Sequence, residues 1–208
     1  PLDAAGSQLR PIVVTSSREP TTLGSEVAAT SVITREDIER TGVRDLVSAL
    51  ELLATVQVEQ LGGPGTTAAA RIRGGDTRDT LLLIDGVLLT DVTSGQASIS
   101  QIPIDDIERI EVVRGNVSAL YGANATGGVI QVFTRRGEAG AHAQLDLGAG
   151  NRRTRSWHAA FSGGSRQLQA RLGLGGSSSR GFSAGDPSIS STTNPDDDGY
   201  RRRDFTLA

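Results

Sequence analysis

Two patterns of apolar and polar positions divide this chain near residue 137. Before that point, apolar residues occur in short continuous runs or at helical spacing, whereas after it they alternate strictly with polar residues. A continuous run such as residues 81–84 predicts a strand buried on both faces. Strict alternation predicts strands with one apolar face and one polar face. The pattern therefore predicts an α+β unit with a mixed sheet and short helices, followed by antiparallel β-strands.

The helices of the first unit are predicted between residues 34 and 53. Thr34 and Asp37 have nearly the spacing and chemistry of a capping box, in which each side chain bonds to the other residue's backbone. Apolar residues then follow on one helical face as far as Leu53. Gly42 interrupts this face, and glycine is typical of helix ends. We therefore predict two short helices separated at Gly42.

Four alternating segments follow residue 137, and the fourth begins at Arg201. Leu145 and Leu147 belong to the apolar face of the first segment, while Trp157 and Leu172 belong to the same face of the next two. Alternating segments of roughly nine to eleven residues are typical of transmembrane barrel strands. A soluble sheet with one wet face has the same pattern, so alternation alone leaves both architectures open.

Composition excludes several functional classes. The chain has no cysteine, which rules out catalytic thiols and thiolate metal sites. Its formal net charge is −3, and no basic stripe indicates a nucleic-acid partner. Neither a persuasive Ser-His-Asp arrangement nor a phosphate-binding loop with its lysine is present. We therefore predict that the protein is not an enzyme. Charged residues such as Arg71, Arg109 and Glu111 are instead predicted to form ion pairs within the first unit or between it and the strands.

A short apolar island stands between polar flanks near the start of the chain, and it consists of Ile12, Val13, Val14 and Thr15. A lone strand of this size buries too little surface to fold alone. We expect that its own chain does not stabilise it, and that it adds as a strand to the edge of a partner's sheet.

Residues 112–136 resemble the end of the plug domain of TonB-dependent outer-membrane receptors. The shared features, in the family's order, are Arg-Gly at 114–115, Ser-Ala-x-Tyr-Gly at 118–122, Gly-Gly-Val-Ile at 127–130 and Thr-Arg at 134–135. The resemblance extends to residues 34–38, 71–74 and 83–87, which are similar to the plug helices and central plug strands. The apolar island is similar to the TonB box.

The resemblance implies three parts. Residues 1–20 would be a mobile segment with the TonB box, residues 21–137 the plug domain, and residues 138–208 the first strands of a barrel. Family barrels have about 22 strands, so the chain would be an amino-terminal fragment of one. The family further implies an outer-membrane location in a Gram-negative bacterium, contact with outer-membrane lipid, and import of a large scarce nutrient. TonB, a periplasmic energy-transducing protein, would act on Ile12, Val13, Val14 and Thr15.

Within the family, the sequence more closely resembles the members that transport cobalamin. The features that carry this likeness are Arg18 after the box and residues 81–87, 101–104 and 194–200. Iron-siderophore or haem chelates are the alternative substrates, and a soluble binding or secretion-gate domain is the alternative from another class. The resemblance implies that two apical plug loops contact substrate, and the alternative is that these loops are only turns. Their candidate residues are Leu61, Gly62, Gly63, Thr66, Thr67, Asp91, Thr93, Ser94 and Gln96.

An acidic loop precedes the fourth alternating segment. In the cobalamin-transporting members, acidic residues of this loop bind calcium, and Asp196 and Asp198 match that motif. Ser183 stands where a further acidic ligand is expected, and Asp186 is a nearby substitute. Calcium takes six to eight oxygen ligands, which carboxylates supply. The resemblance therefore implies a candidate Ca²⁺ site at Asp186, Asp196 and Asp198, while a solvated acidic loop is the alternative interpretation.

Overall fold

The structure is a computed structural model that describes residues 12–13, 21–22, 29–63, 65–89, 98–100, 102–122, 124–165, 167–182 and 197–208. The strands of these residues form a five-stranded mixed sheet, a four-stranded antiparallel sheet and two two-stranded sheets. No helix in the described ranges has both the length and the apolar character needed to cross a membrane.

The first pair of strands involves the apolar island. β1 (Ile12–Val13) pairs antiparallel with β2 (Thr21–Thr22), so that Val13 lies opposite Thr21. The chain therefore supplies a partner strand for these two residues, which the sequence analysis did not expect. Polar threonines supply the backbone partners, and a search for a second apolar run cannot find them. Val14 and Thr15 lie outside the described residues.

The two predicted helices are confirmed. Strand β3 (Ala29–Thr34) leads directly into α1 (Arg35–Thr41), and α2 (Leu46–Glu51) follows. Thr34 Oγ1 accepts a hydrogen bond from the Asp37 amide at 3.2 Å, and Asp37 Oδ2 accepts one from the Thr34 amide at 3.0 Å. This reciprocal capping box satisfies donors that a helix N-terminus otherwise leaves unpaired. Gly42 ends α1 in the left-handed conformation, with φ of 68°.

The core lies between the helices α1 and α2 and the strands of the five-stranded sheet. Ile38, Leu46 and Leu50 come from the helices, and Ile110 and Ile130 come from the central strands of the five-stranded sheet. The remaining elements of this unit are β4 (Val56–Gln60), β5 (Ala68–Ile72), β6 (Thr80–Ile84), β7 (Val87–Leu89), β8 (Ile107–Arg114), α3 (Ser118–Tyr121) and β9 (Gly128–Thr134), with 3₁₀ turns at Thr77–Asp79 and Ile104–Asp106. The strand order in the five-stranded sheet is β3, β8, β9, β6, β7, and only β6 and β9 are parallel.

The four alternating segments form one antiparallel sheet in chain order, which we call the wall. Its apolar face is exposed, as at Leu147, whereas its polar face is buried against the first unit, as at His158 and Arg171. The predicted alternation of an apolar and a polar face is confirmed, and the apolar face points outward, as is typical of transmembrane barrel strands. Gly163 and Gly164 pair within the ladder as far as its end, and Gly164 does so with a positive φ of 147° that glycine tolerates. The strands are β10 (Gly140–Ala149), β11 (Arg155–Gly164), β12 (Gln169–Ser179) and β13 (Tyr200–Leu207).

Candidate functional site

The first predicted apical loop joins β4 to β5, and its own hydrogen bonds close it. The Leu61 amide donates to the Thr67 carbonyl at 3.1 Å, and the Thr66 amide donates to the Gly63 carbonyl at 3.2 Å. The Thr66 hydroxyl and the Gln60 side-chain amide each donate to the same Gly63 carbonyl at 2.8 Å. Leu61 remains 75% exposed at the tip. The described residues of this loop therefore form a hydrogen-bonded turn that presents an apolar side chain and small polar groups.

Two glycines let this loop approach the wall. A Cβ atom at Gly63 would lie 3.2 Å from the Phe182 ring, and one at Gly65 would lie 2.9 Å from the Tyr200 ring. Phe182 follows the end of β12, and Tyr200 opens β13. The first apical loop is thus held against the end of the wall where the acidic loop begins and ends.

The second predicted apical loop lies outside the described residues, including Asp91, Thr93, Ser94 and Gln96. The described chain resumes at Ser98, and the Ile99 amide donates to the Ala68 carbonyl at 2.9 Å. Ile99 is 1% exposed, and Ala68 directly follows the first loop. The end of the second loop is therefore anchored beside the base of the first.

Of the candidate calcium ligands, Asp186 and Asp196 lie outside the described residues, and Asp198 is exposed. The neighbouring Asp197 is engaged by Arg180, with Oδ2 lying 2.6 Å from Nε. Within the described ranges, no group of three or more histidine or acidic side chains is arranged to hold a metal ion. The described carboxylates at this place do not by themselves form a calcium site.

The charged residues that the sequence analysis singled out pair within the first unit. Arg71 pairs with Glu59, and Arg109 Nε lies 2.8 Å from Glu111 Oε1. For these residues, the prediction of ion pairs within the unit is confirmed. The main charged contact with the wall is made by Asp106 instead.

Asp106 joins the first unit to three strands of the wall. Its Oδ1 atom lies 3.2 Å from His158 Nε2 and 3.3 Å from Arg171 Nη2, and its Oδ2 accepts a 2.6 Å hydrogen bond from the Thr206 hydroxyl. These partners belong to β11, β12 and β13 respectively. Gly173 leaves room for the carboxylate, because a Cβ atom there would lie 2.9 Å from Oδ1. We call this group the Asp106 contact.

The Asp106 contact is buried, and its partners stabilise the charged form of the carboxylate. Asp106 is only 4% exposed. Burial raises the pKa of this carboxyl. Its contacts with His158 and Thr206 and the positive charge of Arg171 outweigh burial, so that the pKa is lowered to about 2. Asp106 is therefore ionised at neutral pH and holds the turn at Ile104–Asp106 against the wall.

A cleft of about 870 Å³ separates α2 from the inner face of the wall. Ser48 and Glu51 line it on the helix side, while Ser156, Arg202 and Asp204 line it on the wall side. Arg202 Nε and Asp204 Oδ1 are 3.1 Å apart across adjacent inward positions of β13. The polar side chains on both sides are suited to hold water rather than lipid.

The family model described as the TonB-dependent Receptor Plug Domain matches residues 23–129. The vitamin B12 transporter BtuB of Vibrio vulnificus strain CMCP6 is 38% identical over 140 residues, covering 67% of this chain and 23% of that protein. The protein of the same name from Vibrio cholerae strain M66-2 is 39% identical over 124 residues, covering 60% and 20% respectively. The chain thus spans less than a quarter of the length of these relatives.

Solved structures share the fold. The pyoverdine outer-membrane receptor FpvA of Pseudomonas aeruginosa superposes with a TM-score of 0.73 at 18% identity, over 86% of this chain and 26% of that chain. The siderophore receptor PirA of Acinetobacter baumannii gives a TM-score of 0.60 at 26% identity, over 77% and 26%. Since the family model spans more than half of the chain and antiparallel strands follow it, this chain belongs to the TonB-dependent receptors of the Gram-negative outer membrane.

Proposed function

We propose that the whole protein imports cobalamin across the outer membrane, driven by TonB acting on Ile12, Val13, Val14 and Thr15. The observation that supports this substrate most strongly is the 38% identity, over 140 residues, to a protein named as a vitamin B12 transporter. In this proposal the plug blocks the barrel at rest, and pulling on the amino-terminal segment rearranges the plug to release substrate inward.

The two apical loops form the plug's part of the substrate site in this proposal. The first loop offers an exposed leucine and a threonine hydroxyl on a turn that Gly63 and Gly65 hold against the wall. A turn that is already ordered loses little conformational freedom on binding, which favours affinity. The proposed contacts are Leu61, Gly62, Gly63, Thr66, Thr67, Asp91, Thr93, Ser94 and Gln96.

An iron-siderophore or haem receptor is the second candidate. Solved structures with this fold include receptors named for pyoverdine and for ferric enterobactin. Their identities of 18% and 24% support the shared fold alone. A soluble binding domain does not fit, because the chain belongs to an outer-membrane family and the apolar face of its wall is exposed.

Direct binding to the full-length receptor in detergent tests the substrate, with cyanocobalamin, ferric siderophores and haem compared by calorimetry. We expect cobalamin to bind and the other two not to bind. Tight siderophore binding without corrinoid binding would overturn the proposed substrate.

Gly65→Ala tests the part played by the first loop. Its Cβ atom would press on Tyr200, so we expect about tenfold weaker cobalamin binding, equivalent to ~1.4 kcal/mol. Gly74→Ala is the matched control, since Gly74 also has positive φ but nothing lies within 4 Å of a Cβ atom there. Equal affinities for the two variants would contradict the proposed role of the loop.

We further propose that calcium orders the acidic loop through Asp186, Asp196 and Asp198. The support is the motif in the sequence, together with the position of the described end of this loop beside the first apical loop. The double variant Asp196→Ala with Asp198→Ala should weaken cobalamin binding only when calcium is present. Wild-type affinity that is the same with and without calcium would remove calcium from the proposal.

A further inference from the structure

The outward face of the wall changes from apolar to basic towards one end. Because residues opposite each other in an antiparallel sheet share a face, the strand register groups the outward residues into rows. The last two rows hold three arginines, whereas the rows below them hold none. From the apolar side to the end of the wall, the rows are Ala143, Phe161, Leu172 and Leu207; Leu145, Ala159, Leu174 and Phe205; Leu147, Trp157, Gly176 and Arg203; and Ala149, Arg155, Ser178 and Arg201.

The arginine rows lie at the outer end of the wall. The β11–β12 turn, closed by the Ser165 amide donating to the Leu168 carbonyl at 2.8 Å, is at the opposite end. The long connection from Ser179 to Tyr200 is at the same end as the arginines. Outer-membrane barrels have short periplasmic turns and longer extracellular loops. The arginines therefore stand where the apolar band meets the outer-leaflet headgroups.

Arg155, Arg201, Arg203 and Trp157 flank the smallest residues of these two rows, and we call this group of four residues the arginine cradle. Neighbouring strands are about 4.8 Å apart, so the backbones of β11 and β13 lie roughly 10 Å apart on either side of β12. β12 contributes only Gly176 and Ser178 to the two rows between them. A Cβ atom at Gly176 would lie 2.7 Å from Trp157 Nε1, so the indole covers this glycine. Only small residues therefore lie between the basic strands, and the Trp157 indole packs over one of them.

The charges of the arginine cradle are not neutralised by the part of the chain that the structure describes. Arg155, Arg201 and Arg203 are all exposed, and no described carboxylate lies within ion-pair distance of them. Arg202, on the opposite face of the same strand, pairs with Asp204. Three like charges beside an apolar surface favour an anionic ligand that has an apolar part of its own.

We propose that the arginine cradle binds the phosphate headgroup of an outer-leaflet glycolipid whose acyl chains lie along the apolar rows. Guanidinium groups bind phosphate oxygens through paired, charge-assisted hydrogen bonds. The Trp157 N–H is a further donor at the interface, where aromatic residues of barrels concentrate. Leu174 and Phe205, one row below Gly176 and Arg203, are placed to contact the chains. This lipid site lies on the outside of the wall, separate from the proposed nutrient site.

Native mass spectrometry of the full-length receptor with purified lipopolysaccharide tests the site. We expect the triple variant Arg155→Gln, Arg201→Gln, Arg203→Gln to bind it on the order of a hundredfold more weakly, since each basic residue near an anionic surface contributes roughly fivefold. Arg202→Gln is the matched control and should change binding by less than about twofold, because Arg202 lies on the inner face. Wild-type protein should bind dephosphorylated lipopolysaccharide as weakly as the triple variant binds the intact form.

The lipid site would be overturned by unchanged binding in the triple variant, by an equal loss in Arg202→Gln, or by equal wild-type binding of intact and dephosphorylated lipid. Displacement of the lipid by millimolar inorganic phosphate would also contradict it, since that would show a site for free phosphate. Thermal unfolding, measured on the same preparations, shows whether each variant is folded, and this readout does not depend on the proposed substrate.

Discussion

Asp106→Ala is expected to destabilise the docking of the plug on the wall by about 3–5 kcal/mol. The substitution leaves Arg171 and His158 buried without the carboxylate that both contact. It also removes the acceptor of the Thr206 hydroxyl. Thermal unfolding of the full-length receptor in detergent measures the loss, and hydrogen exchange over residues 104–114 locates it.

Asp105→Ala is the matched control for that substitution. Asp105 belongs to the same 3₁₀ turn, but burial raises the pKa of its carboxyl, so its charged form is disfavoured where it stands. Removing it should be neutral or slightly stabilising. If both variants lost the same stability, the turn as a whole, rather than the Asp106 carboxylate, would hold the plug.

The pKa of Asp106 also predicts an acid limit. A carboxyl whose pKa falls from 3.8 to about 2 on folding contributes stability that is fully present above its ordinary value. That contribution is lost as the pH falls from about 4 towards about 2. The wild type should therefore lose more stability than Asp106→Asn across this window. Parallel losses in the two proteins would show that other groups cause the acid response.

Val13→Pro is expected to abolish transport while leaving substrate binding at the cell surface intact. Proline removes the backbone N–H and fixes φ near −65°, so the segment loses a donor that a docked strand requires. Val13 lies in a two-residue strand beside Thr21, outside the five-stranded sheet and the wall. The folded plug and the first apical loop should therefore be unaffected.

Val13→Ala keeps the N–H and is the control for the loss of the side chain. We expect this variant to retain most of the transport rate. Normal transport by the proline variant, or loss of binding together with transport, would remove the coupling role from this segment.

Local chemistry accounts for the parts of the fold that the sequence predicted. The Thr34 and Asp37 capping box and Gly42 place the first helix, because each depends on residues within one turn of it. Alternation in the last segments predicts which residues share a face of the wall, since a strand has a strict period of two, and the resemblance to barrel strands adds which of the two faces is buried.

Long-range contacts explain what the sequence did not predict. The Asp106 contact joins residues from a 3₁₀ turn and three separate strands, and no spacing along the chain links them. The only indications were an acidic turn and polar residues on the inward face of alternating strands. The pairing of Ile12 with Thr22 was missed because it is a pairing of two backbones, and Thr22 does not belong to an apolar run that would indicate a second strand.

The loop contacts were missed for a similar reason. Gly63 and Gly65 appear in the sequence as ordinary turn glycines, whereas the structure places them against Phe182 and Tyr200. A glycine that permits close approach cannot be distinguished from one that permits a turn until its neighbours are known. The same limit applies to Gly173 beside Asp106.

Uptake of labelled cobalamin by cells tests the central claim most directly. The cells should carry the full-length receptor as their sole cobalamin transporter, and uptake should be compared with TonB present and with TonB deleted. We predict accumulation that requires both the receptor and TonB. Uptake that persists without TonB, or no cobalamin uptake in cells that do take up a ferric siderophore through this receptor, would contradict the claim.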